Sequence, residues 1–369
     1  TIGKDSFAYC YKLESISLPE TLTSIGENAF ASCKTLKEII IPDSITVIGK
    51  AAFAGCDAAE TLRLPNDLQE IGDDCFKACK SLKALVIPDT VTDIGQNGFY
   101  GCKALTDVDL PEGLLYIRAY AFENCEALTS ITVPASVKGI GDKAFQNCTN
   151  LLDIKIEGTA TLIGEDVFKG TAAYSNADNI KDGFLFIDDY LIEEITVGAT
   201  ELILGAEIRG IARNWFETFD TCVEEITVYN PDCVFPTTSG GAPAGATLKG
   251  LVGSTTEVYA EKFGKKFIPF CICEDTLITV PETVGYCDGT RGYTEGVWCE
   301  RCQLWTAGHE EKNDFIHIDE NEDLICDFCK VSTDVKIVSS GKAGENISWR
   351  LMEDGTLYFE GTGKMFDYS

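Results

Sequence analysis

Histidine is nearly absent from this chain of 369 residues, which contains only His309 and His317. The sequence before His309 therefore lacks the side chain that most often serves as a general base for a serine or cysteine nucleophile. It also contains no G-x-x-x-x-G-K-[ST] phosphate loop, no H-E-x-x-H pair and no G-x-S-x-G turn. These absences predict that the protein is not an enzyme.

Basic residues and long apolar runs are also scarce. Lys and Arg number 30 against 59 Asp and Glu, which gives a formal net charge of −29. Because such a charge repels phosphate backbones, we expect no nucleic-acid partner. No stretch approaches the ~20 apolar residues of a membrane span, so we expect no membrane insertion. The chain opens in mid-pattern with "TIGKDSFAYC", and we expect its signal peptide and anchor to lie outside this sequence.

Three residue types recur with a period of 23 throughout residues 1–171. Isoleucine marks eight consecutive registers, at Ile2, Ile25, Ile48, Ile71, Ile94, Ile117, Ile140 and Ile163. Phenylalanine shares the spacing, at Phe7, Phe30, Phe53, Phe76, Phe99, Phe122, Phe145 and Phe168. So does cysteine, at Cys10, Cys33, Cys56, Cys79, Cys102, Cys125 and Cys148. Eight registers without an insertion indicate a repeat protein.

Each unit combines a strand-like segment with a turn-like segment. "LKEIIIP" (36–42) alternates with period two and ends in proline, which favours a short strand. "GENAFASC" (26–33) favours a turn or a short helix. Because a unit of 23 residues cannot bury its apolar face alone, the units must stack. At ~4.8 Å per strand, eight units predict a solenoid roughly 40 Å long.

The constant spacing of 23 residues gives each column of repeated residues a structural interpretation. The phenylalanines are predicted to stack as an aromatic spine, and the glycines at positions such as Gly26 and Gly49 to form a tight bend, although Arg118 stands once in that column. The cysteine column is compatible with a disulfide ladder or with buried thiols. Stacked residues point the same way, which disfavours the ~90° disulfide dihedral. We therefore predict free thiols that act as small apolar residues and weak donors.

The combination "IG..AF..C..L..I.LP" resembles the leucine-rich repeats of BspA-like proteins over residues 1 to about 171. The resemblance implies a β-rich α/β solenoid, a right-handed coil of stacked units. It further implies a non-catalytic module of a bacterial surface or secreted protein, extracellular, monomeric and without a required cofactor in the array. Such arrays are interaction surfaces, several of them adhesive toward host or neighbouring-cell proteins.

The exposed strand positions between the core residues form the candidate binding face. Its members are Ser17, Ile40, Arg63, Val86, Asp109, Thr132 and Lys155. Ile40 and Val86 are the most suggestive, because they are apolar residues on a face predicted to be exposed. The expected partner is a protein or a polysaccharide. The alternative function is a passive spacer that displays other domains away from the cell wall.

Residues 172–270 continue the array in degenerate form. "GFLFIDDYLIEEITV" predicts an inserted hairpin around Asp188–Asp189. Ile211, Phe216 and Cys222 recover the repeat spacing and predict a further coil. "LVGSTTEVYAEKFGKKF" predicts a short helix that caps the array, with Ser254 at its N-terminus and Gly264 just past its end.

Residues 271–333 form a cysteine-rich module in which two C-x-x-C pairs predict one structural zinc ion in a ribbon-like site. The candidate ligands are Cys299, Cys302, Cys326 and Cys329, with His317 as an alternative ligand. Disulfides and a calcium loop at "DENEDLICD" (319–327) remain alternatives.

Residues 334–369 alternate polar and apolar residues around "EDGT" and predict a β-hairpin that opens a further, truncated module.

Overall fold

A computed structural model describes residues 1–159, 161–196, 198–216 and 222–270 in full, and the backbone of ten strands between residues 277 and 361. The chain divides into two compact units, Thr1–Pro269 and Phe270–Ser369. The first unit contains the whole repeat array together with the degenerate region. The second contains the cysteine-rich module and the segment after it.

The first unit is a β-solenoid, as the 23-residue period predicts. Most coils of its regular part contribute two short parallel strands, which we call the back strand and the front strand. The back strands are β1 (Ser24–Ile25), β3 (Val47–Ile48), β5 (Glu70–Ile71), β7 (Asp93–Ile94), β9 (Tyr116–Ile117), β11 (Gly139–Ile140) and β13 (Leu162–Ile163). The front strands are β2 (Glu38–Ile40), β4 (Thr61–Arg63), β6 (Ala84–Val86), β8 (Asp107–Asp109), β10 (Ser130–Val133) and β12 (Asp153–Ile156).

Strand pairing keeps the repeat in register. In the five-stranded back sheet, Ile71 pairs with Ile94 and Ile117 pairs with Ile140. The front strands form the pairs β2–β4, β6–β8 and β10–β12. Every pairing joins residues 23 apart, so like side chains lie over one another. The predicted solenoid is confirmed.

The phenylalanine column is a continuous stack of rings. Successive ring centroids from Phe7 to Phe168 lie 5.2–5.9 Å apart, and successive ring planes differ by 3–11°. From Phe30 to Phe168 the rings are buried, whereas Phe7 in the first coil is 44% exposed. The offset stack fills the interior of the solenoid with aromatic surface.

The segment around each phenylalanine consists of consecutive turns within residues 1–159. Ala31 N donates to Asn28 O at 3.0 Å inside the coil, while Phe30 N donates to Ala52 O of the next coil at 2.7 Å. Two positions in each coil have positive φ. They are Asp5, Asn28, Ala51, Asp74, Asn97, Tyr120, Lys143 and Asp166, and then Tyr9, Ser32, Gly55, Ala78, Gly101, Asn124, Asn147 and Gly170. Asp, Asn and Gly hold most of these positions because they tolerate left-handed backbone.

The glycine column has a different cause from the tight bend expected from the sequence. Its members do not have positive φ. A Cβ on Gly49 would lie 2.5 Å from Glu27 N, and one on Gly141 would lie 2.5 Å from Ala119 N. At Gly49 and Gly141 glycine is needed because the backbone of the preceding coil approaches closely, whereas a Cβ on Gly72 would meet only Ile48 O at 3.4 Å.

The cysteine column holds free thiols in a repeated hydrogen-bonding position. From Cys33 to Cys148, each Sγ donates to the carbonyl oxygen of the phenylalanine 26 residues earlier, at 3.1–3.5 Å. Burial raises the pKa of Cys56 and of Cys102 to about 12. These two thiols are therefore protonated at neutral pH and pack as part of the core.

The degenerate region keeps part of the solenoid and adds a hairpin. Its strands are β14 (Ile180–Lys181), β15 (Phe184–Ile187), β16 (Tyr190–Glu194), β17 (Glu201–Leu204), β18 (Gly210–Ile211), β19 (Glu225–Val228), β20 (Thr247–Leu251) and β21 (Phe267–Phe270). β15 and β16 pair antiparallel around Asp188–Asp189, the position predicted from the sequence. β16 also pairs in parallel with β18, so the hairpin is built into the solenoid.

Two details of the degenerate coil differ from the sequence prediction. Trp215 rather than Phe216 is the fully buried ring, and Phe216 packs edge-on against it with centroids 5.4 Å apart. Cys222 is exposed, whereas Cys233 is buried. Asn214, three residues after Ile211, has positive φ as Asn28 does after Ile25, so the repeat spacing holds up to this point. Trp215 stands at the position that alanine holds in the regular coils.

Helix α1 (Thr255–Phe263) begins and ends where the sequence predicts. The Ser254 side chain accepts from Glu257 N, and Gly264 ends the helix with φ +62°. The Glu257 carboxylate accepts from Gly253 N at 2.6 Å, which completes a capping arrangement. Two 3-10 helices, Ala177–Asn179 and Ser239–Gly241, complete the helical elements of the described residues.

The second unit is described as backbone strands. They are β22 (Leu277–Val280), β23 (Gly285–Tyr286), β24 (Gly292–Tyr293), β25 (Gly296–Cys299), β26 (Leu304–Gly308), β27 (Glu311–Lys312), β28 (Phe315–Ile316), β29 (Ile337–Gly344), β30 (Ile347–Met352) and β31 (Leu357–Gly361). β30 and β31 form the hairpin predicted around "EDGT", and β29 adds a third antiparallel strand.

Candidate functional site

The candidate binding face is the exposed row of front strands. All seven predicted members are exposed. Strand register places them side by side, with Ile40 beside Arg63, Val86 beside Asp109 and Thr132 beside Lys155. The face is therefore assembled as the period predicts, because alternate strand residues point to opposite sides.

Two apolar side chains stand out on this face. Ile40 is 50% exposed and Val86 is 71% exposed. Arg63 lies on the strand between them, and its guanidinium donates to Asp43 Oδ2 at 2.8 Å and to Ile41 O at 3.1 Å. Hydrogen bonding by Asn66 N and by Arg63 lowers the pKa of Asp43. Arg63 is thus held along the face rather than projecting freely into solvent.

A groove of about 400 Å³ lies where the front face meets the degenerate region, and we call it the end groove. Six of its lining residues come from the front strands, namely Ser130, Ile131, Thr132, Asp153, Ile154 and Lys155. The remainder of its wall includes Leu152, Ala173, Asn176, Asn179, Ile187 and Asp188. The structure therefore joins part of the predicted face to residues that the sequence did not single out.

The end groove exists because the next front strand is missing. Continuing the 23-residue period from β12 puts residues 176–179 in that position, where Ala177 would replace Ile154 and Asn179 would replace Ile156. Since these residues cannot fill two core positions, the segment forms a 3-10 helix with the Asn176 side chain as its N-cap. The missing apolar pair is a signal that sequence reasoning could have used.

The hairpin tip closes one end of the groove. Asp188 Oδ2 accepts from Ile156 N. Arg209 donates to the carbonyl oxygens of Ile156 and Gly158 and, at 2.9 Å, to Asp188 Oδ2. Its guanidinium also lies 5.1 Å from the Tyr190 ring centroid. These side chains satisfy backbone groups at the end of β12 that a further coil would otherwise satisfy.

The front face continues into the degenerate region on β17, β19 and β20. Ile203 is 64% exposed and pairs in register with Thr227, which pairs with Lys249. Lys249 Nζ lies 2.6 Å from Glu225 Oε1 on the adjacent strand. Sequence reasoning missed these residues because the period slips before β19.

The candidate zinc site lies outside the described residues. Cys302, Cys326, Cys329 and His317 are not described, and only the backbone of Cys299 is described, in β25. Among the described side chains there is no group of three or more His, Cys, Asp or Glu arranged to hold a metal ion. Likewise, no helix in the described part of the chain combines the length and hydropathy needed to cross a membrane.

Solved structures of bacterial repeat proteins are similar to the chain. A leucine-rich repeat protein from T. pallidum shares 32% identity over 41% of this chain and 70% of that one, with a TM-score of 0.38. A leucine-rich cell surface protein from Faecalibacterium prausnitzii shares 20% identity over 74% and 83% of the two chains, with a TM-score of 0.42. A leucine-rich repeat protein from Bacteroides ovatus shares 20% identity over 64% of this chain and 63% of that one, with a TM-score of 0.40.

Among curated proteins, the sequence has no significant match. The model of the BspA-type leucine-rich repeat region matches residues 1–87 and 69–196, with six copies of the repeat. These ranges cover the regular solenoid and extend through the hairpin strand β16. They amount to more than half of the sequence. The chain belongs to the BspA-type leucine-rich repeat family.

Proposed function

We propose that this chain is a non-catalytic protein-interaction module of a surface or secreted adhesin and that its front face contacts the partner. The observation that carries the proposal is the exposure of Ile40 and Val86 on a regular strand face. Two strand steps separate them, about 10 Å. A contiguous exposed apolar patch rimmed by polar residues is typical of an interaction site.

The rigidity of the face supports the same function. The front strands are held by backbone pairing and by the stacked phenylalanine core beneath them. A preorganised surface loses little conformational entropy when a partner binds. Short side chains such as Thr132 and Val86 add little further ordering cost.

An extracellular location is compatible with the free thiols of the array. Thiols oxidise through the thiolate, and exposure is required for reaction. Cys56 and Cys102 are buried and carry pKa values raised to about 12. They would therefore stay reduced in an oxidising compartment.

The test is a binding screen of the protein against host matrix proteins and polysaccharides, followed by variants of the front face. Changing Ile40, Arg63 and Val86 together to serine is expected to reduce affinity for a captured protein at least tenfold. Val47→Ser is the matched control, because Val47 is 58% exposed but lies on a back strand. Equal affinities for the triple variant and the control would show that the front face is not the binding surface.

A passive spacer is the second candidate function, and the uninterrupted aromatic stack favours it. A stack that continues through eight registers makes a stiff element suited to displaying other domains. The same screen separates the two functions, because a spacer would bind none of the probes.

We also propose that residues 271–333 hold one structural zinc ion through Cys299, Cys302, Cys326 and Cys329, with His317 as an alternative ligand. The spacing of the two C-x-x-C pairs supports this proposal. Metal analysis of untagged protein should find about one zinc per chain. A metal-free protein whose cysteines resist alkylation until reduction would indicate disulfides instead.

A further inference from the structure

We propose that the end groove binds an extended peptide, which adds to the edge of β12 as a parallel strand. This inference rests on the proposed protein-interaction function, but it concerns the strand edge rather than the exposed face. The peptide would take the place of the front strand that residues 176–179 fail to form. Addition of a strand to an open sheet edge is an established mode of peptide recognition.

Alternate backbone groups of β12 point away from its strand partner β10. Asp153 N donates to Thr129 O and Glu157 N donates to Val133 O, so odd-numbered residues of β12 face β10. Ile156 N points the other way, toward Asp188. Since alternate residues of a strand direct their backbone groups to opposite sides, the N–H and C=O of Ile154 also point away from β10.

Those two backbone groups of Ile154 face the end groove. β12 has β10 as its strand partner, and among the described residues no hydrogen bond occupies the outward N–H or C=O of Ile154. Backbone groups of a strand are strong hydrogen-bonding groups that normally find a partner. A peptide strand would supply one acceptor and one donor at the spacing that Ile154 requires.

The two ends of the open edge are already closed by the protein itself. Ala173 N donates to Leu151 O at 2.9 Å on one side. Asp188 and Arg209 occupy the backbone groups of Ile156 on the other side. The open edge therefore extends from Asp153 to Lys155, about 10 Å of extended chain, and Ile154 supplies its outward N–H and C=O. This length admits a short peptide segment and excludes a long sheet-to-sheet contact.

The side chains around the open edge specify the peptide. Ile154, Ala173 and Ile187 form the apolar part of the wall, so the central peptide residue would be small and apolar. The residue before it would lie opposite the exposed carboxylate of Asp153, which favours Lys or Arg. Lys155 already lies 2.6 Å from Glu157 Oε1, so the residue after the centre would be neutral.

The experiment uses the full chain and a set of acetylated octapeptides with Lys-Val-Thr at the centre and varied flanking residues. Binding is measured by fluorescence anisotropy. N-methylation of the Thr amide removes the donor to Ile154 C=O and is expected to weaken the best peptide at least tenfold. N-methylation of the Val amide is the control, because that N–H points away from β12. Equal losses from both, or no binding at millimolar concentration, would overturn the proposal.

Protein variants test the same site independently. Asp153→Lys is expected to weaken the peptide about tenfold, which is one charge–charge preference at a strand edge. Asp107→Lys is the matched control, because Asp107 holds the equivalent position on β8 and lies outside the groove. Equal affinities of the two variants would contradict the assigned position of the peptide.

Failure of this inference is distinguishable from failure of the proposed function. The triple serine variant at Ile40, Arg63 and Val86 is expected to bind the octapeptide normally, since those residues do not line the groove. If a protein partner is lost in that variant while no peptide binds the wild-type chain, the front face functions and the end groove does not.

Discussion

The regular coils and the degenerate region end their strands in different ways. In residues 1–171 each coil satisfies the backbone of its neighbour, as when Gly49 N donates to Ile25 O at 2.8 Å. At the end of β12, side chains take over this role, and Asp188 and Arg209 bind the free backbone groups. In this chain, long-range polar contacts protect the edge at which the repeat is interrupted.

The two regions also differ in their cores. The regular coils repeat one ring, one thiol and one isoleucine, and the stack is uniform. The second cluster mixes geometries: Phe184 packs edge-on against Trp215, whereas Tyr259 stacks on Phe235 and is tilted against Phe263. Uniform stacking suits identical units, whereas mixed aromatic packing fills the irregular space left by the hairpin.

Alkaline pH should destabilise the regular array more than any of the substitutions described below. Burial raises the pKa of Cys56 and of Cys102 to about 12, against about 9 in an unfolded chain. Because the folded-state pKa is the higher one, the stabilisation is complete below about pH 9 and is lost as the pH rises toward about 12. Each thiol then costs up to roughly 4 kcal/mol. Guanidinium denaturation at a series of pH values measures this loss.

Cys102→Ala provides the control for the alkaline titration. Alanine fits the buried position and cannot ionise, so the variant should lose stability less steeply, by about 1.4 kcal/mol per pH unit. Identical pH profiles for the variant and the wild type would show that the thiol is not responsible.

Removing a ring from the middle of the stack should have the next largest effect. Phe99→Ala deletes a fully buried ring that contacts rings on both sides, and we expect a loss of about 3–5 kcal/mol in the free energy of unfolding. Phe7→Ala, at the partly exposed first position, should cost about 1 kcal/mol. Urea denaturation compares the two, and equal losses would show that the stack does not act as one core.

The side chains of Asp188 and Arg209 at the end of β12 should contribute more to the free energy of unfolding than a similar ion pair on the front face. Arg209→Met removes a guanidinium that is 19% exposed and leaves several backbone acceptors without a donor, so we expect a loss of about 2–3 kcal/mol. Arg63→Met breaks a pair in which both side chains are over 40% exposed and should cost less than about 1 kcal/mol. Thermal denaturation compares the stabilities of the two variants. A larger loss for Arg63→Met would show that Arg209 does not stabilise the end of β12.

Alanine substitutions at two glycines of one column should have the smallest effects on stability, and the two effects should differ. Gly49→Ala places a Cβ 2.5 Å from Glu27 N and should destabilise the protein by about 1–3 kcal/mol. Gly72→Ala meets Ile48 O at 3.4 Å and should cost less than about 0.5 kcal/mol. If the two variants are equally stable in denaturant, close approach is not the reason for glycine.

Much of the fold could be predicted from sequence because the repeat makes each long-range contact a copy of the next. The spacing of Ile25 and Ile48 fixes the strand register, and Ser254 and Gly264 mark the ends of the helix by local chemistry. The exposed face followed from alternation along the same strands. The left-handed positions, such as Asn28 and Asn97, were missed because several residue types share those columns.

The end groove could not be predicted in the same way. Its wall joins β10 and β12 to Asn176 and to the hairpin tip at Asp188, which lie many residues away along the chain. The sequence marks the hairpin turn but contains no periodic signal that places Asp188 against Ile156.

The 23-residue period specifies the solenoid, its buried columns and the exposed front face, because identical units can only pack by repeating one contact. The closure of the array at β12 depends instead on long-range packing, since Arg209 donates to Gly158 O at 3.1 Å from 51 residues away. Such a contact depends on where a folded insertion returns to the solenoid, and no local pattern records that path.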